Sequence, residues 1–157
     1  MIEIERKFLV SSTAYREEAF QKIRISQGFL NTHPERTVRI RIMGNGAFIT
    51  VKGKSSEDGL KRFEWEKEIS VEEAEDLLKL CEPGIIEKQR YLVKIGRHIF
   101  EIDEFFGENE GLKVAEVELK GEKEKIEHPL WLGEEVTGQI KYYNSQLSKK
   151  PFKKWKK

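Results

Sequence analysis

Ile2-Glu3-Ile4-Glu5-Arg6-Lys7-Phe8 opens with strict alternation: in an extended strand Glu3, Glu5 and Lys7 share one face, and Ile2, Ile4 and Phe8 take the other. The same sorting recurs along the chain. Arg39 and Arg41 alternate with Val38, Ile40 and Ile42, and Glu64 and Glu66 with Phe63 and Trp65. Lys88 and Arg90 oppose Tyr91 and Val93, Glu101 and Asp103 oppose Phe100 and Ile102, and Glu116 and Glu118 oppose Ala115, Val117 and Leu119; Lys52 ends its own strand. An ordinary antiparallel sheet also turns polar residues to solvent. Sorting by sign argues against that simple account. Like charges two residues apart repel and raise the cost of ionisation, so four acidic pairs and two basic pairs call for something that neutralises them.

Eight strands are expected, over residues 2–10, 25–30, 37–43, 47–52, 62–69, 85–95, 98–105 and 113–119, with turns at Gly44-Asn45-Gly46, 53–59, Gly96-Arg97 and 107–111. Helices are expected from Ser12 or Thr13 to Lys22, after Ser70, where Glu73 completes a capping box ahead of Ala74, Leu77, Leu78 and Cys81, near 122–126, and over 139–148. Strand runs with inserted helices indicate an α+β fold and an antiparallel sheet. Eight strands suffice to close a barrel, which would turn the charged face inward and leave an apolar outer face for the helices. A single domain over residues 1–148 is expected, followed by a basic, solvated tail over 149–157 that includes Phe152 and Trp155.

Of 157 residues, 36% are charged, yet 29 Lys and Arg against 28 Asp and Glu leave a net +1. That balance argues against a uniformly basic nucleic-acid surface. Cys81 is the only cysteine, which excludes an intramolecular disulfide, and it is expected to pack. His33, His98 and His128 are expected in surface or packing roles. The N-terminus shows no signal-peptide pattern and the chain has no apolar run of about 18 residues, so a cytoplasmic protein without a membrane partner is expected.

On the charged faces, Glu3, Glu5, Glu64, Glu66, Glu101, Asp103, Glu116 and Glu118 stand against Lys7, Arg39, Arg41, Lys52, Lys88 and Arg90, eight carboxylates to six cations and a formal −2. One or two Mg²⁺ or Mn²⁺ ions would bring this to about 0 or +2, a match for a triphosphate. Carboxylate oxygens suit such hard cations, and the Arg fork suits phosphate.

With these residues in place, the chain resembles the CYTH superfamily, the triphosphate tunnel metalloenzymes. The resemblance begins at Glu3-Ile4-Glu5-Arg6-Lys7, an ExExK signature. It continues through Gln27-Gly28-Phe29-Leu30, Val38-Arg39-Ile40-Arg41, Thr50-Val51-Lys52, Phe63-Glu64-Trp65-Glu66 and Lys88-Gln89-Arg90-Tyr91. Phe100-Glu101-Ile102-Asp103, Ala115-Glu116-Val117-Glu118-Leu119 and Gly133-Glu134-Glu135-Val136-Thr137 complete it. It implies an eight-stranded tunnel acting on triphosphates with Mg²⁺ or Mn²⁺. It assigns Glu3, Glu5, Glu116 and Glu118 as metal ligands, joined by Glu64, Glu66 and Asp103. Lys7, Arg39, Arg41, Lys52, Lys88 and Arg90 form the phosphate clamp, and Glu3, Glu5 and Lys88 are the catalytic residues. The short chain is similar to compact bacterial members, which points to inorganic tripolyphosphate and a homodimer. A class IV adenylyl cyclase, a thiamine triphosphatase and a non-catalytic polyphosphate-binding module are the alternatives. Two departures stand out: Phe29 replaces the tyrosine many members carry, and Gln139 and Lys141 replace an Asp and an Arg ahead of Tyr142 and Asn144.

Overall fold

The computed structural model describes residues 1–155; Lys156 and Lys157, the last two of the expected tail, lie outside the described residues. Its strands are β1 (Ile2–Val10), β2 (Gln21–Asn31), β3 (Arg36–Met43), β4 (Gly46–Ser55), β5 (Lys61–Ile69), β6 (Ile86–Ile95), β7 (His98–Phe105), β8 (Lys113–Leu119) and β9 (Leu132–Glu135). The first eight close a barrel in the order β5-β4-β3-β2-β6-β7-β8-β1, with β1 returning to β5 and every pairing antiparallel. The ninth was not expected. It pairs Phe8 with Glu135 and Val10 with Leu132, on the stretch of β1 beyond its short pairing with β5, and so completes the seam. A bidentate Arg6–Glu135 bridge, at 3.0 and 2.7 Å, pins it there.

Residues of outward parity build two cores on the outer wall. Phe8, Phe100, Ile102, Ala115, Val117 and Leu119 pack under Tyr15 and Trp131, both fully buried. Ile40 and Ala47 pack under Ala74 of α2 (Val71–Leu78), whose Ser70–Glu73 capping box forms as expected, with Cys81 partly buried at the edge. A third core lies at one end of the barrel interior. Phe29, Ile86, Phe105 and Val114 have the inward parity, and Val136, Tyr142 and Leu147 of the C-terminal segment plug them. Gly59 and Gly138 seal the rim at φ 76° and 81°, so close that a Cβ on Gly59 would lie 2.2 Å from the Gly138 Cα.

Three expected helices come out differently. From Ser12 to Lys22 only α1 (Tyr15–Glu18) is helical, because Phe20 and Gln21 are drawn into pairing with Leu92 of β6. Residues 122–126 are not helical: a turn at 122–123 leads into an irregular stretch, where Glu124 accepts from the Lys120 amide and meets His98 at 3.0 Å. Residues 139–148 divide into a 3₁₀ turn (Ile140–Tyr142) and α3 (Asn144–Leu147), separated by extended Tyr143. The described part of the tail, residues 149–155, makes packing contacts. The Phe152 amide donates to Asn109 Oδ1 at 2.8 Å, and Trp155 packs edge-on against Tyr142 and Phe152 beneath the Lys141 ammonium. Among the described residues no helix is long and apolar enough to cross a membrane.

Candidate active site

The barrel encloses a cavity of about 480 Å³. Its wall carries seven carboxylates (Glu3, Glu5, Glu64, Glu66, Glu101, Glu116, Glu118) and seven cations (Lys7, Arg39, Arg41, Lys52, Arg62, Lys88, Arg90). Period-two parity puts them there: inward neighbours such as Glu3 and Arg62, Lys7 and Glu116, or Lys52 and Glu64 face each other across paired strands. The C-terminal segment closes the plugged end with Thr137, Tyr143, Asn144 and Ser145.

Asp103 is the one expected site residue outside this lining. It is 2% exposed and stands behind the wall, accepting from Arg90 at 2.8 and 3.0 Å and from Lys88 at 2.8 Å. Both its oxygens meet these cations, so Asp103 holds Arg90 and Lys88 in place from behind the lining. Glu101, which shares its parity, faces the cavity instead. Glu5, Glu101 and Glu116 each bring an oxygen within 4.8 Å of the others. Arg62 is a cation the expected clamp lacks. It lies two residues before Glu64 and so shares its face, the signal that could have found it, and it donates to Gly53 O, Pro34 O and Thr37 Oγ1. Exchanging Asp103 for Arg62 removes the expected excess of negative charge: seven carboxylates face seven cations.

The charges are balanced in number but not in place. Burial, then the Glu116 charge, drives the Glu5 carboxyl well above its ordinary range. Burial pushes Glu101 and Glu118 up as well, reinforced by Glu116 and Glu3 respectively. For Glu116 burial is outweighed by Lys7 at 3.3 Å, the hydrogen bond with Glu5 and the Arg90 charge, so it ionises well below its ordinary value. Across the cavity the opposite holds. Burial and the neighbouring Arg39 and Arg90 pull Arg41 down to about 9, still protonated at neutrality, and burial pulls Lys88 down to about 8 despite Asp103. Burial, with Arg90 and Arg39 respectively as the strongest repelling charge, also lowers Arg39 and Lys52. Glu66 gives Arg39 and Arg41 only distant contacts at 3.4 and 3.6 Å, and the buried Nε–H groups of both arginines meet no acceptor among the described residues. The carboxylate side thus favours an added cation and the arginine side an added anion. Oxygen-only donors on the carboxylate side fit a hard divalent ion.

The CYTH domain pattern matches residues 1–150. The chain is 44% identical over 155 residues to an inorganic triphosphatase of Acetivibrio thermocellus, covering 98% of this chain and 97% of that protein. It is 37% identical over 152 residues to an inorganic triphosphatase of Nitrosomonas europaea, covering 94% and 97%. Among solved structures, that of the inorganic triphosphatase NE1496 superposes with a TM-score of 0.67 at 33% identity, covering 93% and 97% of the two chains.

Proposed function

The chain belongs to the CYTH family, and from that membership we propose that it is a metal-dependent hydrolase that cleaves a phosphoanhydride bond of inorganic tripolyphosphate with Mg²⁺ or Mn²⁺. The observation that carries the proposal is the division of the cavity: Glu5, Glu101 and Glu118 are pushed up by burial and by one another's neighbours, while Arg39, Arg41 and Lys52 are pushed down. A divalent cation relieves the first group and a polyphosphate the second.

Glu3, Glu5, Glu116 and Glu118, joined by Glu101, would hold one or two ions, which when bound supply Lewis acidity and a lowered water pKa. Lys7, Arg39, Arg41, Lys52, Lys88 and Arg90 bind the phosphate oxygens and stabilise charge as it spreads in the transition state. Glu64, 3.9 Å from Lys52, and Glu66, beside Arg39, set the orientation of those clamp residues. One carboxylate of the Glu3–Glu5 pair accepts the proton of the attacking water, and Lys88 steadies the phosphoryl group under attack. The cytoplasmic location expected from the sequence is part of this proposal. Exposed Phe63 and Trp65 on the outer wall suit the homodimer expected from the sequence, which light scattering would test.

Phosphate release from tripolyphosphate, thiamine triphosphate, ATP and pyrophosphate, with Mg²⁺, with Mn²⁺ and with neither, decides the matter. Metal-dependent release from tripolyphosphate, fastest of the four, is expected, and its absence sinks the proposal. Cyclic AMP and pyrophosphate from ATP would identify a cyclase instead. Glu116→Gln should abolish turnover; a non-catalytic binding module would hold the anion as well or better.

A further inference from the structure

Asn144 starts the short helix α3 at the plugged end, and its side chain reaches into the barrel. Its Oδ1 accepts from Lys88 Nζ at 3.0 Å and from Gln27 Nε2 at 3.0 Å. The amide orientations are fixed by chemistry: an ammonium only donates, so Asn144 must turn its oxygen to Lys88, and Gln27 must then offer its nitrogen. Gln27 is fully buried and leaves its own Oε1 without a partner to do so. A buried carbonyl left unpaired costs free energy, so this residue carries a burden that the fold alone does not explain.

Lys88 is itself 1% exposed, and its ammonium has three protons. One goes to Asp103 Oδ2 at 2.8 Å and one to Asn144 Oδ1, while the Phe105 ring lies 5.5 Å away. With two directions fixed, the third N–H is aimed by tetrahedral geometry, and Lys88 lines the cavity. Asp103 and Asn144 come from different parts of the chain, the barrel wall and the plug. We propose that Asn144, held by Gln27, is a positioning residue that aims the Lys88 ammonium at a bound phosphoryl group, so that the docked C-terminal segment completes the site. The kinetic side of this proposal rests on the triphosphatase function above.

The test compares Asn144→Leu, which keeps the bulk and removes the acceptor, with Asn144→Asp, which restores it. In tripolyphosphate hydrolysis with Mg²⁺ or Mn²⁺, Asn144→Leu should lower kcat by at least ~10-fold with KM changed less than ~3-fold, since misaiming acts on the chemical step more than on binding. Asn144→Asp should recover most of that loss. Equal kcat in wild type and the Leu variant, or equal losses in Leu and Asp, overturns the proposal. If Asn144→Leu fails to fold, Gln27→Met tests the same chain of contacts, with a smaller kcat loss expected and an unchanged kcat overturning it. A second readout needs no substrate: the Lys88 ¹⁵Nζ resonance should be sharp and slowly exchanging in wild type and broaden in the Leu variant. An unchanged resonance overturns the positioning claim even if the wild type hydrolyses nothing. A sharp wild-type signal lost in the variant, in a protein without triphosphatase activity, would instead remove only the function proposed above.

Discussion

Arg41 is 8% exposed, beside Arg39 and Arg90, and its nearest carboxylate, Glu66 at 3.6 Å, is 36% exposed. A buried cation so weakly compensated lowers the stability of the free protein, and its removal strands no buried partner. Arg41→Met should therefore leave the melting temperature of the ligand-free protein unchanged or raised, while tripolyphosphate hydrolysis falls by about 100-fold, the scale seen when one preorganised charge donor is lost. Thermal unfolding and initial rates on the same preparation check this; a large loss of stability would mean that Arg41 is structural. Single residues of this kind were largely legible, because parity alone assigns Arg39, Arg41, Lys88, Arg90, Glu116 and Glu118 to one face. Parity cannot report depth. Glu101 and Asp103 share a face, yet one lines the cavity and the other lies behind two cations, a distinction set by partners more than ten residues away in sequence. The direction of Asn144 could not be read for a related reason, since the helix expected over 139–148 breaks at extended Tyr143 and its period does not carry through.

At the level of elements, strands with long alternating patterns were readable and short helices were not. The α2 helix announces itself by a capping box and an apolar stripe, both local. The four-residue α1 has no side-chain cap and is held instead by distant contacts: Arg16 donates to both oxygens of Glu104 on β7, at 2.7 and 2.8 Å, and the Tyr15 hydroxyl donates to the same carboxylate. Burial pushes Glu104 up, but these hydrogen bonds outweigh it and its folded pKa lies below the ordinary carboxylate value. The sign follows. As pH falls the unfolded chain takes up the proton first, near pH ~4.3, so the stabilisation is complete above that value and disappears as pH drops through the lower folded pKa. Because Arg16 is 47% exposed, solvent screening keeps the contribution to about 1 kcal/mol. Urea unfolding should show Glu104→Gln less stable than wild type by that amount at pH 7 and equal to it near pH ~2. A difference that does not change with pH would assign the loss to packing rather than charge.

For the whole molecule, the barrel inverts the usual arrangement of a small domain: two apolar cores lie on its outer wall, and the charged faces share one enclosed cavity with an apolar plug at its end. The sequence shows that inversion in its charge sorting, while the barrel closes through the short β1–β5 pairing and is sealed by β9 and the Gly59–Gly138 contact, which join segments with no common local pattern. Enclosure also links the two halves of the site. Seven carboxylates and seven cations leave the cavity near neutrality, so binding of a divalent cation alone makes it positive and binding of an anion alone makes it negative. Each therefore favours the other, and the coupling must be reciprocal. Sulfate is a suitable probe, because it is not hydrolysed and chelates divalent ions weakly. In calorimetric titrations at constant ionic strength, saturating sulfate should tighten Mn²⁺ binding by about tenfold, and saturating Mn²⁺ should tighten sulfate binding by the same factor. Arg41→Met should reduce that factor by weakening the anion side, with Mn²⁺ binding in the absence of sulfate retained. Independent affinities in the wild type would show that the carboxylate and arginine halves act as separate sites, despite the one cavity that contains them.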